Sequence, residues 1–145
     1  MPNIKKVAVI GTGVIGAGWI IRCLAHNKIV YAFDKDLKLK KNLISEIERT
    51  WPHVKKLFNK KKLNQKNFKY FTSIKEALKN ADFIQECATE NYNIKIKLMN
   101  KIGKFAKPNA IISSSSSGLL PTKIYSKCKN PARSMIGHPF NPVYL

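Results

Sequence analysis

The sequence predicts an α/β fold built on a doubly wound parallel sheet with helices on both faces. Short, β-rich apolar runs alternate along the chain with stretches of helical periodicity, which is the pattern of repeated strand–helix–strand units. Glycine-rich or polar segments follow directly after several of these runs. Ligands of such sheets bind beyond the carboxyl ends of the strands, so these segments are the first place to look for a functional site.

The first predicted unit runs from a strand at residues 4–10 through a glycine-rich turn into a helix at residues 14–26. Gly11, Gly13 and Gly16 fit the pattern G-x-G-x-x-G. The first glycine permits a tight turn, the second lets the backbone approach a pyrophosphate, and the third lets helix and strand pack closely. The motif is weak by itself, but its position between a strand and a helix indicates dinucleotide binding.

An acidic residue at the end of the second predicted strand supports this interpretation. The strand covers residues 28–33, and Asp34 follows it roughly 20 residues after the glycines, where a ribose-binding carboxylate belongs. A carboxylate hydrogen-bonds the ribose 2′-hydroxyl and repels a 2′-phosphate, so NAD is the expected cofactor. The neighbouring Lys35 weakens this preference a little.

Periodicity and stop signals predict the remaining elements. An amphipathic helix over residues 37–50 is expected to end or kink at Pro52, with a lysine-rich helix continuing over residues 53–63. Glu76 follows Ser73 at the spacing of a capping box. The other predicted strands are 67–72, 82–87, 110–112 and 133–136, and the other predicted helices are 74–79, 93–107 and 121–128.

The composition is that of one globular domain with a large positive charge. A chain of 145 residues can bury a core, and no apolar run is long enough to span a membrane. A net charge of +19 raises the possibility of a nucleic-acid partner, but only three of the 27 basic residues are arginine, which such sites prefer. We therefore expect no nucleic-acid or membrane partner and interpret the lysines as solvated surface that also attracts anionic ligands.

The cysteines indicate a reduced compartment and no metal site. Cys23, Cys87 and Cys128 are odd in number and lack the spacing of metal ligands. The first predicted strand begins at residue 4, which leaves no room for a signal peptide. A cytoplasmic location is expected.

Two later segments carry residues suited to oxidation of an alcohol. The serines at residues 113–117 follow an apolar run, so we interpret them as a hydroxyl-lined turn and not as a linker. His138 follows the last predicted strand in a turn rich in proline and asparagine. Histidine ordinarily titrates near pH 6.5 and can accept a proton at neutral pH. Oxidation of an alcohol by a nicotinamide needs such a base and a hydroxyl that holds the developing carbonyl oxygen.

Several segments together resemble the NAD-binding domain of the 3-hydroxyacyl-CoA dehydrogenases over essentially the whole chain. They are VIGTGVIGAGWI, FDKD, ADFIQECATEN, SSSSSGLLP and GHPFNPVYL, of which the last is the most specific. GLLP, ADFIQE and HPFNPVYL are most similar to family members that oxidise the 3-hydroxyl group of L-carnitine, a small free acid, instead of a CoA thioester. The segment between Asp34 and Glu90 also looks shorter than in the CoA-specific members, which favours a substrate without CoA.

The resemblance implies a role for each predicted site residue. It assigns the pyrophosphate to Gly11, Gly13 and Gly16, the adenosine ribose to Asp34, and further cofactor contacts to Glu90 and Lys95, which match the family's ENxxxK element. It assigns the substrate oxygen to Ser117, 21 residues before His138. His138 aligns with the general base, and Asn141 with an asparagine near the nicotinamide.

The resemblance also implies that residues 1–145 are a Rossmann-type NAD-binding domain at the N-terminal end of a longer enzyme. The family's helical C-terminal domain, which completes the substrate pocket and a homodimer, is not among these residues. The chain by itself is then expected to bind NAD and to turn over poorly or not at all. Two alternatives stay open: a 3-hydroxyacyl-CoA dehydrogenase of fatty-acid β-oxidation, and a non-catalytic NAD-binding module.

Overall fold

A computed structural model describes residues 3–60 and 62–145, whose strands form one parallel sheet. The order across the sheet is β3-β2-β1-β4-β5-β6, and each neighbouring pair is parallel. The chain therefore winds outward in both directions from β1 and β4, which confirms the predicted doubly wound fold. The strands are β1 (Lys6–Ile10), β2 (Ile29–Phe33), β3 (Phe68–Phe71), β4 (Phe83–Glu86), β5 (Ile111–Ser114) and β6 (Ser134–Ile136).

Helices connect the strands and cover the two faces of the sheet. Short 3-10 turns precede β3 and β6. Nowhere in the described ranges is a helix both long enough and apolar enough to cross a bilayer. The α-helices are α1 (Val14–Ala25), α2 (Leu39–Leu57), α3 (Ile74–Leu78), α4 (Tyr92–Phe105) and α5 (Pro121–Ile124).

The hydrophobic core consists of one cluster on each face of the sheet. In β1, Val7 and Val9 belong to the cluster under α1 and α2, whereas Ala8 and Ile10 belong to the cluster under α3, α4 and α5. Successive side chains of a strand point to opposite faces, so a strand covered on both faces is a continuous apolar run. This is the physical reason why the strands of this chain are visible in the sequence.

The predicted end of the helix at Pro52 is wrong. Helix α2 continues through Pro52 and ends at Leu57, so the helix predicted over residues 53–63 is the last part of α2 and not a separate element. Lys61, within the predicted range, lies outside the described residues. Proline removes one backbone hydrogen bond from a helix interior. Trp51 and Val54, on either side of it, are buried in the core, and this burial offsets the lost hydrogen bond.

The capping box predicted at Ser73 is also wrong in its hydrogen bonds. Ser73 is the N-cap residue of α3, but its side chain makes no capping hydrogen bond. Burial of Ala77 and Leu78 holds this short helix against the sheet instead. A side-chain cap does occur at α4, where the Asn91 side chain accepts a hydrogen bond from the Ile94 N–H at 3.1 Å.

Asp82 joins the start of β1 to the segment after α4. Its carboxylate accepts hydrogen bonds from the backbone N–H groups of Lys5 and Lys6, at 3.0 and 2.8 Å, and from Lys107 Nζ at 2.6 Å. Burial by itself would raise the pKa of Asp82. The hydrogen bonds from Lys107, Lys6 and Lys5 outweigh that effect and lower the pKa from 3.8 to about 2.

We expect Asp82→Asn to lower the free energy of unfolding at neutral pH by about 1–2 kcal/mol. The folded-state pKa lies below the unfolded value, so the contribution is complete above the unfolded pKa and is lost as the pH falls through about 2. Urea unfolding at neutral and at acidic pH measures this, with the exposed Glu48→Gln as the control. A difference between Asp82→Asn and the parent chain that stays constant down to the acid limit would contradict the assignment.

Candidate functional site

A cavity of about 480 Å³, the candidate cofactor cavity, lies beyond the carboxyl ends of β1, β2 and β4. Its walls contain Gly11, Gly13 and Asp34, three of the residues that the sequence predicts to bind a cofactor, together with Thr12 and Cys87. A separate cavity of about 490 Å³ between α2 and β3 contacts none of the predicted site residues. The ends of the central strands are thus the place where Gly11, Gly13 and Asp34 meet. Gly16, Glu90 and Lys95, which are also predicted to contact the cofactor, are not in the wall of this cavity.

The three glycines of the turn are needed for different physical reasons. Gly11 has a φ of +98°, and a Cβ there would lie 2.8 Å from the carbonyl oxygen of Cys87. A Cβ on Gly16 would overlap the carbonyl oxygen of Gly11, so this glycine lets the helix pack against the turn. A Cβ on Gly13 would meet no atom within 4 Å. Packing does not require a glycine at Gly13, and the open space there fits the close approach of a pyrophosphate.

The N-terminus of α1 faces this open space. Gly13 is the N-cap residue, no side chain caps the helix, and its first turn contains no acidic residue. Free N–H groups and the positive end of the helix dipole therefore remain available to an anion. This arrangement suits the phosphates of a dinucleotide.

Asp34 connects the glycine-rich turn to the end of β2. Its Oδ2 atom accepts hydrogen bonds from the Thr12 N–H at 3.0 Å and from the Thr12 hydroxyl at 3.1 Å. Its Oδ1 atom accepts one from the Lys35 N–H at 2.8 Å. The carboxylate is thereby held in the wall of the cavity, where a ribose hydroxyl can donate to it. Thr12 was missed by the sequence analysis, although its place between the first two glycines was the available signal.

A buried ion pair joins β4 to α4 next to the cofactor cavity. Lys95 Nζ lies 2.8 Å from Glu86 Oε1 and 2.9 Å from Oε2, and both side chains are at most 1 % exposed. Glu86 also accepts hydrogen bonds from the Ser114 hydroxyl at 2.5 Å and from the Ala88 N–H at 2.6 Å. Glu86 was missed by the sequence analysis, although a carboxylate in a buried strand needs a cationic partner.

Glu90 extends this network to the serine-rich segment. It lies 3.4 Å from Lys95 Nζ and accepts hydrogen bonds from the Ser116 hydroxyl at 2.5 Å and the Ser117 N–H at 3.0 Å. Burial would raise the pKa of Glu90, but the hydrogen bonds from Ser116, Gly118 and Ser117 outweigh it and lower the pKa. Glu90 and Lys95, both predicted to contact the cofactor, differ in their exposure to solvent. The Glu90 side chain is partly exposed, whereas the Lys95 ammonium faces carboxylates inside the protein.

The serine-rich segment is divided between a strand and a turn. Ser113 and Ser114 are the last residues of β5, so the interpretation of all five serines as a turn is wrong for these two. They are buried, and Glu86 provides the partner that lets the Ser114 hydroxyl enter the strand. Ser117 lies in the turn proper and is exposed.

His138 follows β6 and lies beside the start of this turn. Its Nδ1 atom is 3.2 Å from the carbonyl oxygen of Ser115, and its ring meets that of Phe140 edge to face at 5.8 Å between centroids. A cavity of about 500 Å³ borders the imidazole and includes Trp19, Arg22 and Asn141 in its lining. The fold thus brings the predicted base to the serine-rich turn at the active edge of the sheet.

Cys87 lines the cofactor cavity, and its Sγ atom lies 3.2 Å from the Ser115 hydroxyl. Burial, which outweighs the hydrogen bond from Ser115, raises the pKa of the Cys87 thiol to about 12. At neutral pH the thiol is protonated and is a packing group of the cavity wall.

Comparison with known proteins identifies the family to which this site belongs. The sequence model described as "3-hydroxyacyl-CoA dehydrogenase, NAD binding domain" matches residues 6–145. The L-carnitine dehydrogenase of Pseudomonas putida is 44% identical over 143 residues, which are 99% of this chain and 44% of that protein. The L-carnitine dehydrogenase of Oceanobacillus iheyensis is 45% identical over 141 residues, 97% of this chain and 46% of that protein. The chain spans less than half the length of these curated relatives.

Solved structures match the fold as well. The (S)-3-hydroxybutyryl-CoA dehydrogenase from Ralstonia eutropha superimposes with a TM-score of 0.86 at 27% identity, over 97% of this chain and 51% of that one. The 3-hydroxybutyryl-CoA dehydrogenase from Escherichia coli gives a TM-score of 0.84 at 27% identity, over 98% of this chain and 31% of that one. Sheet order, glycine-rich turn and sequence agree, and the chain belongs to the 3-hydroxyacyl-CoA dehydrogenase family, whose NAD-binding domain it carries.

Proposed function

We propose that this chain is the NAD-binding part of a longer cytoplasmic enzyme that oxidises the 3-hydroxyl group of L-carnitine to give 3-dehydrocarnitine. The observation that supports this substrate is the identity of 44% and 45% to L-carnitine dehydrogenases over nearly the whole chain. The similar hydroxybutyryl-CoA dehydrogenases are 27% identical. In this proposal the native enzyme is a homodimer, and its partners are small molecules.

In the proposed reaction, His138 removes the proton of the 3-hydroxyl group. The imidazole is exposed and borders an open cavity, so a substrate hydroxyl can reach it. The hydroxyl of Ser117, also exposed, donates a hydrogen bond to the substrate oxygen as it becomes a carbonyl. Asn141 lies in the His138 loop and orients the reacting groups there. The NAD held by the glycine-rich turn and Asp34 would supply the acceptor for the hydride from C3.

The cofactor residues act by shape and by charge. Gly11, Gly13 and Gly16 form the turn that receives the pyrophosphate, and Asp34 accepts from the hydroxyls of the adenosine ribose. Glu90 and Lys95 act on the cofactor indirectly. Lys95 fixes the backbone at Ala88, and Glu90 fixes the backbone at Ser117, in the turns that surround the cofactor.

The experiment that tests the proposal starts with the intact mass of the native polypeptide isolated from cells. A mass about twice that of this chain is expected for the longer enzyme. Reduction of NAD⁺ by that polypeptide is then followed with L-carnitine and with 3-hydroxybutyryl-CoA. Turnover of L-carnitine supports the proposal, and turnover of the CoA thioester alone replaces it with the β-oxidation alternative. Cofactor binding without turnover of either substrate supports the alternative of a non-catalytic NAD-binding module.

For the cofactor site, we expect Asp34→Asn to raise the Kd for NAD⁺ about tenfold or more, because a charge-assisted hydrogen bond to the ribose is lost. The ratio of the Kd for NADP⁺ to the Kd for NAD⁺ should fall in the same variant, since there is no longer a carboxylate at this position to repel a 2′-phosphate. Isothermal titration with both cofactors measures this, and Asp36→Asn in the same segment is the matched control. An unchanged Kd in a folded Asp34→Asn variant would show that the ribose binds elsewhere.

For the base, we expect His138→Asn to lower kcat by about a hundredfold to ten-thousandfold, the usual contribution of a general base. The Kd for NAD⁺ should not change, because His138 is not in the wall of the cofactor cavity. Steady-state kinetics of the native polypeptide measure kcat, with His53→Asn on the exposed side of α2 as the control. Loss of activity in both variants, or in neither, would remove His138 from this role.

A further inference from the structure

Three lysines line the candidate cofactor cavity and take no part in the function proposed above. Lys35 directly follows Asp34 after the end of β2, and Lys97 and Lys101 belong to α4. Among the described residues of the wall, Asp34 is the only acidic one. The wall therefore contains three cations and one anion, and its net charge attracts anionic ligands.

The protein itself does not neutralise these three ammonium groups within the described ranges. Every ion pair there involves another cation. The Asp34 carboxylate does not serve them either, since its hydrogen bonds come from the N–H and hydroxyl of Thr12 and from the backbone N–H of Lys35. All three lysine side chains are exposed, so they can move to meet a ligand in the cavity.

The stability of α4 does not explain why two of the lysines are there. Lys97 and Lys101 are four residues apart, so they lie on one face of the helix, where like charges repel each other. The helix contains no acidic residue that could pair with either of them. Lys104, the next lysine along the helix, is outside the cavity wall and lies over the ring of Phe105. An anion in the cavity would relieve the repulsion between Lys97 and Lys101.

The pyrophosphate of NAD is not that anion in the proposed function. It lies at the glycine-rich turn and the N-terminus of α1, whereas Asp34, the neighbour of Lys35, receives the adenosine ribose. A ribose that carries only hydroxyl groups leaves the lysines without an anionic partner. A phosphate on the 2′-oxygen of the ribose would provide one, and a basic residue near the ribose is what accommodates this phosphate in folds of this class.

Asp34 opposes such a phosphate without excluding it. Its single negative charge acts against three positive charges in the wall of the same cavity. Three hydrogen-bond donors also share the charge of the carboxylate. A phosphorylated ribose is therefore expected to bind more weakly than an unphosphorylated one, but within the range that a titration measures.

We propose that the cavity also binds NADP⁺, with Lys35, Lys97 and Lys101 holding the phosphate on its adenosine ribose. The inference rests on the proposed placement of that ribose at Asp34. It adds a second cofactor to the site and names the residues that admit it.

The test is isothermal titration of the native polypeptide with NAD⁺ and with NADP⁺. We expect the Kd for NADP⁺ to be about tenfold to a hundredfold higher than that for NAD⁺, because Asp34 opposes the phosphate. The wall variant combines Lys35→Gln, Lys97→Gln and Lys101→Gln, which remove the charges and keep most of the side-chain length. In this variant the Kd for NADP⁺ should rise about tenfold or more, and the Kd for NAD⁺ by less than about threefold.

The matched control removes the same number of positive charges outside the cavity wall. It combines Lys55→Gln, Lys56→Gln and Lys104→Gln, three residues that do not line the cavity. Because the net charge of the protein falls equally in both variants, any general attraction of anions is lost equally. Only the wall variant should change the ratio of the two Kd values.

Salt dependence provides a second readout, which a change in folding would not reproduce. Added NaCl screens the contact between the lysines and a phosphate. The Kd for NADP⁺ should therefore rise more steeply with salt than the Kd for NAD⁺ in the parent protein. The two slopes should become equal in the wall variant.

Asp34→Asn separates this inference from the proposed function. In that variant NADP⁺ should bind at least as tightly as NAD⁺, and adding the three substitutions of the wall variant should abolish the gain. If Asp34→Asn leaves the Kd for NAD⁺ unchanged, the placement of the ribose in the proposed function is wrong. If it weakens NAD⁺ as expected but the lysines have no effect on NADP⁺, the placement stands and this inference is wrong.

Two further outcomes would overturn the inference. One is no detectable binding of NADP⁺ to the parent protein at about a thousand times the Kd for NAD⁺. The other is an equal rise in the Kd for both cofactors in the wall variant, which would assign the lysines to the pyrophosphate and not to a phosphate on the ribose.

Discussion

The active edge of this sheet depends on the ion pair between Glu86 and Lys95. Two opposite charges lie inside the protein with almost no exposure to solvent, at a point where β4 ends and α4 passes over it. Loss of one partner from such a pair leaves a buried charge unpaired, which typically destabilises a protein by about 3–5 kcal/mol. Because Glu86 also accepts from Ser114 and Ala88, the pair fixes the ends of β4 and β5 together. The cavity borders the end of β4, and the serine-rich turn continues from the end of β5.

The polar groups around this pair form a series that leads from Lys95 to the imidazole of His138. Lys95 contacts Glu90, and Glu90 holds the backbone of the turn that carries Ser117. On the other side of the same turn, Ser115 meets both Gln85 and His138. Catalytic groups need to be held within about half an ångström of their working positions, and rigid strand ends do this better than free loops. The serine-rich segment is such a case, since the hydroxyls of Ser114, Ser115 and Ser116 are each hydrogen-bonded to another side chain.

The sequence was sufficient for the parts of the molecule that depend on local or periodic patterns. The strands of the sheet, the glycine-rich turn and the ends at Asp34 and His138 follow from apolar runs and from the residues that terminate them. Contacts between distant segments were not visible in this way. The inward orientation of Lys95 requires knowledge that β4 lies under α4, and the continuity of α2 at Pro52 requires knowledge that Trp51 is buried. Tertiary burial outweighed the local signal in both cases.

The protonation of Cys87 has a consequence for the chemistry that the cavity tolerates. Oxidants and alkylating reagents attack the thiolate form of cysteine, and a thiol with a pKa of about 12 contains almost none of it near neutral pH. The sulfur that borders the cavity is therefore a much weaker nucleophile towards peroxide and disulfides than an ordinary cysteine. Burial of this thiol makes the cavity wall less sensitive to the thiol redox state of its surroundings.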